Sequence, residues 1–431
     1  MFEQALALDA APLELARRLN DRPYLSLFWA KAGRIAYLAS DPIAHSHALD
    51  PEPELRLAND ENAAERAFPR WVGLLPYECR RDLERAAHGA SRAAPHVSEP
   101  HWLRYAAVAE ISEAGVRVLG DDADAVDALA ARLRGSSVAP SPVALTPLGA
   151  FEEPELHRLR IRRALEHIRA GDLYVINLAR RFDFRVRGSA LNVLACLLER
   201  GRPPHSAAFA WGPLDVVAAS PELFIKTDAS GSIFTSPIKG TRPRGGNAER
   251  NAELARELDG DPKERAELTM VLDVERNDLA RLARAGSVQL VAPPHVEAHG
   301  TVLHRVATLQ AELRPEVTRS EILERMMPSG SVTGAPKVRA MEVIEELEPE
   351  KRGVYAGAAG YLGFHGNTDL AISIRTGVVK DGLLHVQAAA GIVADSIPEN
   401  EWRETQNKAR ALLAAAEQVR AGLDAPLAEQ E

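Results

Sequence analysis

The densest chemistry in this sequence begins at Ser220. There SPELFIK, a DASGS turn and the strand-like IFTSPIKGTRPRG bring a carboxylate and a lysine into one predicted hairpin. A glycine and two prolines around Lys239 impose an irregular backbone, with Arg242 and Arg244 close behind. Crowded cations lower the cost of keeping an amine neutral, so Lys239 is a candidate nucleophile. Spacing alone fits a solvated loop lysine more often. Glu222, on the preceding strand, can face this segment across the hairpin as a general acid, or simply close a strand at a turn.

Two helices carry paired carboxylates. In DPKERAELTMVLDVERNDLARL, Asp261 reads as an N-cap with Pro262 at the first helical position and Glu264 in a capping-box place. Glu267 lies one turn on, so Glu264 and Glu267 share a face. SIPENEWRETQNKARALL repeats the layout as a helix capped at Ser396, with Glu401 and Glu404 three apart and Lys408 one turn further. An exposed Glu404–Lys408 ion pair is the plainer account of that second face. Four carboxylates without a Cys or His cluster make an oxygen-only site suited to Mg²⁺ and not Zn²⁺.

The turn PSGSVTGAPK, residues 328–337, precedes a helical run and offers backbone N–H groups to an anion, or merely caps that helix. Thr333 and Gly334 are its candidate substrate contacts. Its glycines enclose three residues, and Ala-Pro separates Gly334 from Lys337, so it is not a nucleotide P-loop. Arg375 ends an apolar run, where a buried guanidinium calls for an anionic partner, and Tyr355 can add a hydroxyl to the same anion. HVQAAAGIVADS places Gly391 and Ile392 on a turn before the last helix. His304, on an alternating pattern, is either an acid/base group or a satisfied core histidine.

The elements that must position these groups are mixed. The first hundred residues alternate short apolar runs with Pro, Asp and Gly breaks, as strands and hairpins do. DADAVDALAARLRG reads as a helix, SSVAPSPVALTPLGA as a linker or surface loop, and ELHRLRIRRALEHIRAG as a helix ending at Gly171 before the strand-like LYVINLARRFDF. Strands and helices then intermix without strict alternation, which favours α+β. The chain has 431 residues, 46% of them hydrophobic and 26% charged, which suits a folded protein with one large or two ordinary cores. A net charge of −9 gives no basic footprint for nucleic acid. Two separated cysteines, Cys79 and Cys196, exclude a disulfide framework, and no spanning or targeting segment is evident, so the expected location is the cytoplasm.

SPELF, PIKGTRPRG, ERAELTMVLDVERNDL, PSGSVTGAPK, YAGAAGY, SIRT and GIVADSIPENEWRE occur here in the order seen in chorismate-utilising enzymes. The chain resembles that family over roughly residues 150–415, and within it the aminodeoxychorismate synthase component I branch. The resemblance implies an α+β fold of two packed, largely antiparallel sheets flanked by helices. It also implies an anthranilate-synthase-component-I-like region over 1–140, a chorismate-binding catalytic domain over 150–415 and a tail over 416–431.

By the same resemblance, Mg²⁺ held by Glu264, Glu267, Glu401 and Glu404 takes one carboxylate of chorismate. Arg375 and Tyr355 take the other, with Lys408 and the Gly391 turn in support. Glu222 matches the acid that expels the C4 hydroxyl, and His304 a histidine beside the ring. Anthranilate synthases typically carry alanine at position 239, whereas lysine marks the 4-amino branch, in which Lys239 adds at C2 before ammonia enters at C4. Water-adding relatives carry a lysine where Val175 stands, and amine-adding ones a glutamine. The LLES segment that marks tryptophan inhibition is missing. Neither cysteine has the flanks of a glutaminase nucleophile, so ammonia is expected from a separate glutamine amidotransferase subunit. The alternatives are anthranilate synthase component I and a non-catalytic chorismate-binding subunit.

Overall fold

Strands such as Leu25–Ala30 and Ala358–Gly363 are buried at every residue, which requires a layer on each side of the sheet that contains them. The computed structural model describes residues 1–53, 68–79, 97–139, 143–198, 201–212 and 214–421. Residues 140–142 of the Pro- and Ser-rich stretch and 422–431 of the expected tail lie outside these.

The described strands form two sheets, one of 12 strands and one of 10. The larger runs from Phe2–Leu6 at one edge through Leu25–Ala30, His205–Ala210, Asp215–Ser220, Thr376–Lys380 and Leu383–Ile392 to Val175–Arg187 and Gly334–Ala335. The smaller runs from Ile238–Pro243 through Val302–Glu312, Ser232–Ser236, Leu223–Thr227, Thr368–Ile372 and Ala358–Gly363 to Pro69–Leu75, His101–Arg104 and Ala44–Ser46. Neighbouring strands pair antiparallel, as in the Val175–Arg187 and Leu383–Ile392 ladder, which runs over ten residue pairs. Residues before 140 thus contribute strands to both sheets.

The sheets face each other across an aromatic core. Phe28 and Tyr37 of the larger sheet meet Tyr361 of the smaller at 5.9 and 5.6 Å between ring centroids. Helices cover the outer faces. Ala123–Leu133 and Ala190–Leu198 pack on the larger sheet, and Arg319–Met326 lies against the smaller. Helices Pro154–Arg169 and Lys337–Leu347 bury Ile161, Leu165, Val343 and Ile344 against Ile176, Leu178 and Ile392. This is the α+β architecture of two antiparallel sheets flanked by helices. No helix of the described residues is long and apolar enough to cross a membrane.

Local signals worked where the chain caps itself. The Asp122 carboxylate accepts from Ala125 N, Asp261 accepts from both Lys263 N and Glu264 N, and Gly171 follows its helix at φ +84°. Three expectations need correction. The stretch read as a linker or surface loop ends in strand Ala144–Ala150, which pairs antiparallel with Val175–Arg187 because that long strand has an open edge on the side away from Leu383–Ile392. Ser396 does not cap the last helix, Pro398–Ala421: the Ile397 carbonyl accepts the first helical bonds, and the Ser396 hydroxyl reaches forward to Glu401 at 2.7 Å. Gly391 is not on a turn; it lies inside Leu383–Ile392, paired with Asn177, because the long ladder carries the strand past the glycine.

Candidate active site

Glu222 immediately precedes strand Leu223–Thr227, where its carbonyl accepts from Ile372 N, and its carboxylate accepts from Ile238 N at 3.1 Å. The side chain is only 2% exposed. Burial raises the carboxyl above the ordinary range, against a hydrogen bond from Ser331 and the attraction of Lys239 and Lys408. A buried carboxyl that keeps its proton can donate it. Lys239, half-buried on strand Ile238–Pro243, donates to the Ser331 carbonyl at 3.2 Å, so one residue engages both groups.

The expected crowd of uncompensated cations around Lys239 is not there. Arg242 pairs with Asp261 at 2.7 Å and with Glu264 at 3.3 Å, and Arg244 donates from an exposed position to the Gly300 carbonyl. Those partners lie on another helix and another hairpin, out of reach of a reading of local spacing. Lys239 instead shares the site with Glu222 and Glu404, whose carboxyls feel its charge. Gly240, at φ +84°, follows it because a Cβ there would sit 2.7 Å from Leu258 and 3.0 Å from Glu264.

The turn that holds Lys239 is itself held. Glu275, 1% exposed, accepts from Ser329 Oγ at 2.7 Å and Gly330 N at 3.0 Å, and burial lifts its carboxyl to about 7. Ser331 N is capped by Ser329 Oγ at 3.1 Å, and the Thr333 hydroxyl donates to the Ser329 carbonyl at 2.9 Å. Gly334, at φ +158°, packs so closely that a Cβ would lie 2.2 Å from the Val175 carbonyl. Asn177 Nδ2 donates to the carbonyls of Ser331 and Thr333. Behind them Arg352, 2% exposed, pairs with Glu348 and donates to the carbonyls of Val332 and Asn177, tying the turn to the strand. Val175 opens that strand, buried. Sequence reading missed Glu275, Asn177 and Arg352. Only the i, i+4 spacing of Glu348 and Arg352 was visible, because the remaining partners lie 20 to 175 residues away.

Arg375 has an αL backbone, φ +48°, and among the described residues its guanidinium makes no side-chain hydrogen bond or ion pair. Burial lowers its affinity for its proton, and Glu222 opposes that. A half-buried guanidinium with no ion pair suits a substrate carboxylate. Its charge also reaches His304, which is 1% exposed and whose imidazole is driven down to about 3, mainly by burial. His304 is therefore neutral, with Nδ1 at 3.0 Å from Thr241 Oγ1 and a buried Nε2 that has no partner. Tyr355 is buried, with the Arg352 guanidinium 5.8 Å from its ring. Lys408 donates to the Ala389 carbonyl at 3.0 Å and pairs with Glu404 at 2.6 Å, the ion pair the helical spacing suggested.

Helices Pro262–Ala280 and Pro398–Ala421 bring the four glutamates into one electrostatic group, since all four attract the ammonium of Lys263. Gly391 lies beside them, where a Cβ would be 3.6 Å from Glu267 Oε2. As they stand, no three acidic or histidine side chains among the described residues form a cage for an ion. The chemistry nevertheless fits a hard cation. The donors are all carboxylate oxygens, Glu401 Oε2 is buried without a hydrogen-bond partner, and an ammonium stands between Glu401 and Glu267.

The arrangement brings together a buried carboxyl, an amine, a guanidinium without an ion pair and a basin of carboxylates. A family model for chorismate binding enzymes matches residues 15–414. The chain is 45% identical over 263 residues to anthranilate synthase component 1 of Thermus thermophilus, covering 61% of this chain and 57% of that one. It is 41% identical over 255 residues to the Pseudomonas aeruginosa protein of the same name, covering 59% and 52%. The alignments span just over half the length of these curated relatives. Anthranilate synthase component I from Streptococcus pneumoniae superposes with a TM-score of 0.73 at 29% identity, over 95% of this chain and 94% of that one. The menaquinone-specific isochorismate synthase from Escherichia coli shares the fold, with a TM-score of 0.78 at 21% identity over 96% and 93%. With a family match running from one end of the described fold almost to the other, the chain belongs to the chorismate-binding enzyme family.

Proposed function

We propose that the chain aminates chorismate with ammonia delivered by a glutamine amidotransferase partner, and that the amine enters at ring C4 through a covalent adduct on Lys239. The observation that carries this reading is the meeting of Lys239 and Glu222 at Ser331, an amine and a buried carboxyl whose hold on its proton burial strengthens, both engaged by one residue. Arg375 and Tyr355 hold one substrate carboxylate, with Lys408 and the backbone at Gly391, Thr333 and Gly334 shaping the rest of the wall. The Lys239 amine, once deprotonated, forms a bond to C2. The ring double bonds shift, and the C4 hydroxyl leaves as water with the Glu222 proton. Ammonia then adds at C4, the electrons return, and the lysine departs from C2, so one hard displacement becomes two easier ones. Neutral His304 offers its open Nε2 beside the ring without adding charge. Mg²⁺, when bound by Glu264, Glu267, Glu401 and Glu404, would neutralise the second substrate carboxylate.

A second reading is anthranilate synthase component I, in which ammonia enters at C2 directly. The names of the relatives favour it, and on the comparisons alone it is better supported than the 4-amino reading. Lys239 is the feature of the site that argues the other way.

Product chromatography separates the two. Chorismate, Mg²⁺ and an ammonium salt are given to the purified chain, with and without a lyase that converts aminodeoxychorismate to 4-aminobenzoate. 4-Aminobenzoate formed only with the lyase is the expected result. Anthranilate would establish the second reading, and unconsumed chorismate would leave a binding subunit.

A further inference from the structure

The basin of four glutamates already surrounds a cation of the chain's own. Lys263, near the start of helix Pro262–Ala280, brings its ammonium 3.6 Å from Glu401 and 3.8 Å from Glu267, so it bridges the two helices. All four glutamates attract it. Neither contact is short enough for a hydrogen bond, and the side chain is 51% exposed, so withdrawal into water costs little. The other cations at the basin are tethered twice. Arg242 holds Asp261 as well as Glu264, and Lys408 holds the Ala389 carbonyl as well as Glu404. Lys263 has no such second anchor among the described residues. Facing it, Glu401 is 3% exposed, and its Oε2 is buried with no hydrogen-bond partner. A buried carboxylate oxygen in that state is costly, and a ligand would relieve it.

The geometry points to Lys263 as a displaceable counter-ion, which holds Glu267 and Glu401 together before a divalent cation arrives and withdraws to solvent when the cation takes those carboxylates. The inference rests on the cation reading of the four glutamates. Its consequence is that the entering ion must displace an ammonium, so Lys263 weakens the affinity of the site while protecting it from its own repulsion. The lysine thereby keeps the helices Pro262–Ala280 and Pro398–Ala421 at their working separation before metal binds.

Isothermal titration of Mg²⁺ into the full chain at pH 8, with Mn²⁺ followed by electron paramagnetic resonance, tests this on wild type, Lys263→Met, Lys263→Arg and the double variant Glu401→Gln/Glu404→Gln. Lys263→Met is expected to bind Mg²⁺ on the order of tenfold more tightly. Without metal it should melt below wild type, and Mg²⁺ should raise its melting temperature by more. Lys263→Arg keeps the charge and should keep wild-type affinity. Equal or weaker binding by Lys263→Met, or tighter binding by Lys263→Arg, overturns the counter-ion role and leaves the cation site standing. If wild type and Lys263→Met both fail to bind, or the double variant binds as well as wild type, the cation reading falls and the inference falls with it.

Discussion

The two ends of this site hold charge in opposite ways. Around Lys239, polar groups are buried and satisfy one another: Glu222 takes Ile238 N, Ser331 takes Lys239 and Asn177, and Glu275 takes Ser329 and Gly330. Around the four glutamates, carboxylates are balanced by long, partly exposed cationic side chains, Arg242, Lys263 and Lys408. The difference follows from the work each end would do. A proton donor and a nucleophile act from fixed positions, and a low-dielectric surround of mutually bonded groups on the Ser329–Ser331 turn fixes them. A cation site must exchange one partner for another, and solvated ion pairs part cheaply.

The sharpest way to break the comparison is at the rigid end. Lys239→Ala should lower 4-amino product formation by on the order of 10⁴-fold, because it removes a group that bonds to the substrate. Chromatography of the products also shows whether turnover is redirected to anthranilate. Glu222→Gln should lower kcat by about 10³-fold. Burial raises the Glu222 carboxyl, so the wild type should lose activity on the basic side only above the ordinary carboxylate range, and that limb should vanish from the variant's pH profile. A basic limb unchanged in Glu222→Gln would remove Glu222 from the role of acid. Arg375→Ala belongs to neither end. It should raise KM for chorismate roughly 100-fold with a smaller effect on kcat, since it holds substrate and does not move a proton.

How far the sequence reached follows the same division. Groups carried by short local devices were legible: the Asp261 cap that orients Glu264 and the Glu404–Lys408 turn. The segment read as one strand of a Glu222 hairpin instead divides into Ser232–Ser236, which closes the hairpin, and Ile238–Pro243, which carries Lys239 and pairs with Val302–Glu312. The fold was legible through family resemblance, not through periodicity, since strand alternation names strands but not the order in which two sheets collect them. What failed were statements about company. Arg242 and Arg244 read as neighbours that would keep Lys239 neutral, yet their partners come from another helix and another hairpin. Ser396 read as a cap, yet its hydroxyl serves Glu401. Gly391 read as a turn, yet it completes a ladder whose other strand lies more than 200 residues earlier. Glu275 carried no mark at all, because a glutamate in a helix looks the same whether it faces water or a buried turn.

Glu275 supplies the smallest expected effect on activity and the finest test of how rigid the Lys239 end is. Its carboxyl sits near 7 in the folded chain, mainly through burial, and near the ordinary glutamate value when unfolded. Between those values the folded state binds the extra proton. The stabilisation from this group is therefore complete below pH 4.5 and is lost as pH rises to about 7, a change of about 3 kcal/mol. Glu275→Gln keeps a carbonyl oxygen for Ser329 and Gly330 and cannot titrate. Urea unfolding of the variant between pH 5 and pH 7 should lose that slope, while kcat stays within about twofold, because the turn presenting Ser331 to Lys239 keeps its acceptor. A slope identical to wild type would mean that Glu275 is ionised throughout. The turn would then be held by a buried charge, and Lys337, whose attraction lowers the Glu275 carboxyl, would be the group that stabilises it.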